Sequence, residues 1–153
     1  MARSVLMIGF GSTIRSDDAL GPQLVGRLRE LDADLDADID IISAHQLDFD
    51  MAEAVQAHDV VLFVDASREG TAGEVRCHRV TCDPAGAVLA HHLTPQALLT
   101  LVRQLWGSAP EAWLITVTGH SFALGDRLSP RLEVRLPLLA STVLSAGMGL
   151  RQG

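Results

Sequence analysis

Met7-Ile8-Gly9-Phe10-Gly11-Ser12-Thr13-Ile14-Arg15-Ser16-Asp17-Asp18-Ala19-Leu20-Gly21 reads as a strand that runs into a glycine-bearing loop and then into a helix. The strand is expected over Ser4–Gly9. The helix is expected from Asp18 to about Leu31, because Leu20, Leu24, Val25, Leu28 and Leu31 recur at helical spacing. A strand feeding a helix in this way opens a βαβ unit and points to a mainly parallel sheet. In such sheets the carboxyl ends of the strands share one crevice, and ligands bind there. Polar residues just past the strands therefore carry the functional question.

The rest of the chain repeats the alternation. Ile39–Ser43 is a second strand and Met51–Ala57 a short helix. Val60-Val61-Leu62-Phe63-Val64 is an unbroken apolar run that ends at Asp65, as expected of a strand buried on both faces. Glu74–Val80 alternates and follows a glycine-containing turn, which predicts an antiparallel strand. Thr94-Pro95 opens a helix with a capping residue and a proline, and Leu98, Leu99, Leu101, Val102 and Leu105 form its apolar face. Trp113–Thr118 is the last strand, and Ser129-Pro130 caps a final helix from about Arg131 to Leu144. The acidic run Asp32–Asp38 reads as a solvated connection. The expected architecture is α/β, one three-layer αβα domain over 1–153. Its twisted sheet has about five strands, mainly parallel with one antiparallel, and helices on both faces.

Bulk properties narrow the function. The 153 residues are 48% hydrophobic, enough for a full core, and no stretch approaches the roughly 20 apolar residues of a membrane span. A net charge of −7 argues against nucleic acid as the main partner. Lysine is absent, which removes Schiff-base chemistry and a phosphate-binding lysine. Cys77 and Cys82 form neither a disulfide framework nor a CxxC pair, as expected in a reducing, cytoplasmic setting.

Asp18, Asp65 and His91 each follow an expected strand, and together they suit a borderline divalent ion such as nickel or zinc. Asp17 has an alternative as a helix-terminal acid that interacts with the dipole. His45 and His120 also follow strands and are expected at the surface or behind the site, and His58 in a loop. Competing chemistries fail on particular residues. The dinucleotide fingerprint lacks its third glycine, where Ile14 stands, and two carboxylates at the helix start would repel a phosphate. Phosphoacceptor receivers place their acid pair directly at a strand end and need a lysine. No Gly-x-Ser-x-Gly elbow, HExxH or Cys/His cluster is present. Any hydrolysis is expected to be metal-assisted or directed by a metal in the substrate.

Ile8-Gly9-Phe10-Gly11-Ser12 through Asp17-Asp18-Ala19-Leu20-Gly21, then Val64-Asp65-Ala66, then His91 with Leu98-Leu99 downstream, resembles the hydrogenase maturation proteases. Gly119-His120-Ser121-Phe122-Ala123-Leu124-Gly125-Asp126-Arg127-Leu128-Ser129-Pro130 is similar to that family's late Gly-x-x-Leu-Ser segment. The resemblance spans nearly the whole chain in the right order. It implies an aspartic-type endopeptidase that removes the C-terminal extension of a nickel–iron hydrogenase large-subunit precursor after nickel insertion. It also implies that Asp18, Asp65 and His91, with adjacent His92 as the alternative, contact nickel supplied by the precursor rather than a resident cofactor. Two departures stand out. Ser12 replaces the family's usual asparagine, and Ala44-His45-Gln46-Leu47-Asp48-Phe49-Asp50 replaces an Asp-Gly-Gly-Thr-like turn. A monomer is expected, with no nucleic-acid or membrane partner. A non-catalytic nickel-binding or docking protein on the same fold is the competing reading, and a nucleotide-binding module the least favoured.

Overall fold

The computed structural model describes residues 2–31, 39–87 and 93–152. Five strands form one sheet in the order β2-β1-β3-β5-β4: β1 (Val5–Phe10), β2 (Ile39–Ala44), β3 (Val60–Ser67), β4 (Val75–Val80) and β5 (Glu111–Thr118). The pairs β1·β2, β1·β3 and β3·β5 are parallel, while β4 runs antiparallel to β5 at one edge. The expected mixed α/β sheet is thus present. The acidic connection expected over 32–38 lies outside the described residues.

Side-chain alternation on the central strands builds two cores. Val5, Met7, Val60, Leu62 and Val64 pack under α1 (Leu20–Gly26) and α6 (Leu136–Gln152). Leu6, Ile8, Val61 and Phe63 pack under α3 (Ala52–Gln56) and α4 (Pro95–Trp106). Val60 through Val64 are all fully buried, which explains why this strand shows no polar alternation. Asp65 is not past this strand but inside it, paired with Thr116 of β5.

The helix expected from Asp18 to Leu31 is broken into a 3-10 turn at Ser16–Ala19, then α1, then the single turn α2 (Leu28–Leu31). Pro22 accounts for the first break. It has no N–H to donate to the carbonyl of Asp18, so an α-helix cannot run through both. Within α1 it occupies the first turn, where amides have no helical partner anyway. Exposed Gly26 stands at the second break, and Leu31, expected on the buried face, is 44% exposed. The last helix also differs from expectation. Pro130–Glu133 forms the single turn α5 and α6 continues to Gln152, because Pro137 cannot donate to Glu133. In α4, Thr94 caps as expected, its Oγ1 accepting from Ala97 N at 3.1 Å, and Gly107 closes the helix with φ +86°. Leu105 departs from the expected apolar face and is 61% exposed near that end. Of β4 only Val80 is buried, so its sequence alternation does not mark a covered face.

Close approach of α1 to the sheet depends on two glycines. A Cβ on Gly9 would lie 2.2 Å from the carbonyl oxygen of Gly21, and one on Gly21 would lie 2.4 Å from that of Val64. Both obstacles are backbone and cannot swing aside. Gly21→Ala is therefore expected to destabilise the fold by about 2–3 kcal/mol, read as a lower urea midpoint with an unchanged slope. An unaltered midpoint would mean that α1 can lift from the sheet at no cost.

Candidate functional site

At the carboxyl ends of β1, β2 and β3 lies an open cavity of about 190 Å³, lined by Phe10, Gly11, Asp18, His45, Gln46, Leu47, Asp65 and Leu93. Gly11 permits the tight return of the loop after β1, because its φ is +150° and a Cβ would lie 1.9 Å from the carbonyl oxygen of Asp18. Its amide donates to Ala44 O at 3.1 Å, tying that loop to the end of β2.

Two of the expected site residues, Asp18 and Asp65, meet in this cavity. One oxygen of each is already oriented by a backbone amide. Ser12 N donates to Asp18 Oδ2 at 2.8 Å, and Ala66 N donates to Asp65 Oδ1 at 2.8 Å. Among the described residues no hydrogen bond is made to Asp18 Oδ1 or Asp65 Oδ2, so each acid keeps an acceptor for a ligand. Burial pushes the Asp65 carboxyl up to about 7; the Ala66 amide opposes this and the nearby charge of Asp18 adds to it. A carboxyl held near neutrality in a cleft is suited to proton transfer.

His91 and His92 lie outside the described residues. Leu93, which follows them directly, lines the cavity. Among the described residues no three His, Cys, Asp or Glu side chains gather closely enough to hold a metal ion. The two carboxylates are hard oxygen donors that could contribute to a divalent site, with a nitrogen donor still required for the mixed set.

His45 was expected at the surface or behind the site, and it is exposed but stands in the cavity wall with Gln46. The signal was present in its position directly after β2, at the same sheet end as Asp65. His120 is exposed, and its amide rather than its ring is engaged. His58 sits in a loop, with Nδ1 2.6 Å from Ala54 O and Nε2 2.6 Å from Asp40 Oδ2.

Asp17 stands in the first turn of the 3-10 segment, the place expected of a helix-terminal acid, but its side-chain bonds go elsewhere. Fully buried, it reaches across to the 119–129 loop. Oδ2 accepts from His120 N at 2.7 Å, Ser121 N at 2.9 Å and Ser129 Oγ at 2.8 Å, and Oδ1 accepts from Ser129 N at 2.7 Å. Ser129 is thereby diverted from the expected capping of the last helix, where it makes no side-chain cap bond. Burial alone would raise the Asp17 carboxyl, but the hydrogen bonds from Ser129, Ser121 and His120 outweigh it and hold the group below the usual carboxylate range. Ser16, at φ +51°, completes the clasp by donating from N to Gly125 O and from Oγ to Ala123 O. The late Gly119–Pro130 segment therefore holds the turn that carries Asp18.

No protein-family model and no curated protein sequence matches the chain. Solved structures do. The NiFe hydrogenase maturation protease HycI from Thermococcus kodakarensis is 25% identical, with a TM-score of 0.70 over 92% of this chain and 89% of that one. The hydrogenase maturating endopeptidase HybD from E. coli is 21% identical, with a TM-score of 0.75 over 94% and 91%. The maturation protease HybD from Thermococcus kodakarensis is 17% identical, with a TM-score of 0.69 over 94% and 99%. The chain shares its fold with solved nickel–iron hydrogenase maturation proteases.

Proposed function

We propose that the protein is an endopeptidase that removes the C-terminal extension of a nickel–iron hydrogenase large-subunit precursor once nickel has been inserted. The observation that carries this reading is the meeting of Asp18 and Asp65 at one open cavity, in a fold shared with maturation proteases. Nickel belongs to the precursor and arrives with it. Asp18, Asp65 and His91, or His92 in its place, would contact the ion, so that cleavage reports completed metal loading. Before the precursor binds, Asp65 holds a proton for much of the time near neutrality. A cation entering the cavity favours the ionised form of both acids and drives that proton off. Asp65, ionised, would then hold the ion with Asp18 beside the peptide bond to be cut. The enzyme acts on this reading as a cytoplasmic monomer; no helix among the described residues is long and apolar enough to cross a membrane.

Incubation with nickel-loaded precursor should shorten the large subunit on a mass spectrum, and nickel-free precursor should stay intact. Asp18→Asn should slow cleavage by at least about 100-fold, the range lost with a positioned acid–base or ion-contacting group. Unchanged precursor mass, with a related protease active in parallel, would overturn the reading. Nickel-dependent stoichiometric binding without a mass change would favour a docking protein on the same fold instead.

A further inference from the structure

The sheet ends at β4, and among the described residues no strand pairs with its outer edge. Val75 through Arg79 are exposed in succession, and among the described residues no hydrogen bond reaches the outward-facing amides and carbonyls of this strand. Beside it runs a groove of about 320 Å³ lined by His78, Arg79, Val80, Thr81, Thr94, Pro95, Gln96 and Leu114. Edge and groove together have the two parts that strand addition requires. Main-chain groups can pair with an extended segment, and a neighbouring recess can take its alternate side chains.

Charge selects the occupant. The chain as a whole carries −7, yet Val75–Val80 holds two arginines and a histidine with no carboxylate. Arg76 contacts Glu74 at 3.2 Å, and the Arg79 guanidinium lies 5.4 Å from the Trp113 ring centroid. Alternation puts these arginines on opposite faces of the strand; Arg76 is shared with Glu74, and Arg79 faces Glu111, which Arg3 already pairs, so the strip keeps a positive excess for an added strand to meet. A second copy of the chain pairing edge to edge would bring the arginines of both strands into one strip, which like-charge repulsion disfavours. An acidic segment gains the opposite-charge pairs instead.

We propose that the outer edge of β4, with the groove beside it, receives an extended acidic peptide segment of a partner as an added strand. Leu93 lines the carboxylate cavity and Thr94 lines this groove, so one wall of the protein serves both openings. Binding at this edge needs neither nickel nor cleavage, and it stands or falls apart from the proposed peptidase activity.

The test uses the full chain and a decapeptide in which pairs of valines alternate with pairs of glutamates, which puts acids on both faces of an extended strand. Titration should shift the backbone amide resonances of residues 75–80 and the ring signals of His78. Methylating alternate peptide amides should abolish the shifts. An Arg76→Glu/Arg79→Glu variant should bind at least about tenfold more weakly, and it should prefer a decapeptide carrying lysine in place of the acids. The proposal is overturned by equal binding of a valine–serine decapeptide, by equal binding of the methylated peptide or by shifts confined to another surface. No shift at about 1 mM peptide, the affinity of a contact worth only ~4 kcal/mol, would also overturn it. The peptide-side controls keep the test decisive if the double variant folds poorly.

Discussion

Asp65→Asn should leave the precursor uncut and at the same time make the protein more stable in mild alkali. The acid sits inside β3 with its carboxyl pushed up to about 7, chiefly because burial disfavours its charge. Its unfolded-state value is 3.8. Between those limits the folded state holds a proton that the unfolded state has lost. Stability therefore falls as pH rises from about 4 to about 7 and is level above that. The cost of carrying the charge at pH 8 is on the order of 2–4 kcal/mol. Asparagine keeps an oxygen for the Ala66 amide and has no charge to bury. The variant should melt about 5–10 °C above the parent at pH 8, given the few degrees per kcal/mol of a chain this long. The two should converge near pH 4. Cleavage should fall by at least about 100-fold. Normal processing by Asp65→Asn would remove Asp65 from the reacting site, and coincident melting curves at pH 8 would mean that the carboxyl is not strained by burial.

Asp17→Ala should bring the largest loss of stability. The substitution leaves three backbone amides and the Ser129 hydroxyl without their acceptor, both Ser129 donors in a buried place. Each donor left without its acceptor in a buried place costs about 1–3 kcal/mol, against a total of roughly 5–15 kcal/mol for a domain. The thermal midpoint should drop by about 10 °C or more, and limited proteolysis should cut first within residues 119–129. Asp17→Asn should fall between, because its amide group would face donors. The pH dependence has the opposite sign to that of Asp65. Asp17 titrates below its ordinary range in the folded state, so its contribution is complete above about pH 4 and is lost as pH falls through the folded value. The gap between parent and Asp17→Asn should accordingly narrow towards about pH 2. A proteolysis pattern unchanged from the parent would mean that the clasp does not hold the late loop.

The architecture could be read from the chain because its signals are local. Val60–Val64 is apolar at every position, and a strand buried on both faces has no other way to look. Thr94-Pro95 and Gly107 bound α4 by capping chemistry that involves only near neighbours. Asp18 and Asp65 could be paired from sequence because strands that run parallel deliver their far ends to the same crevice. The misread helices also had local causes: Pro22 and Pro137 each remove a donor that the periodicity of the leucines does not register.

Long-range contacts decided the rest. Asp17 and Asp18 are adjacent acids in one turn, and nothing near them in sequence tells them apart. Folding separates them by bringing in Ser129, which lies 112 positions away and turns Asp17 into a buried clasp while Asp18 stays open to the cavity. His45 enters the cavity wall only because β2 lies beside β1 in the sheet. The edge position of β4 likewise follows from strand order and not from the strand's own residues. Periodicity and capping are properties of a few neighbouring residues, and the sequence by itself determined the elements and the sheet end where the acids gather. Burial and hydrogen-bond partnership belong to residues that only the fold brings together, and the tertiary structure alone decided which acid is buried among donors and which faces the cavity.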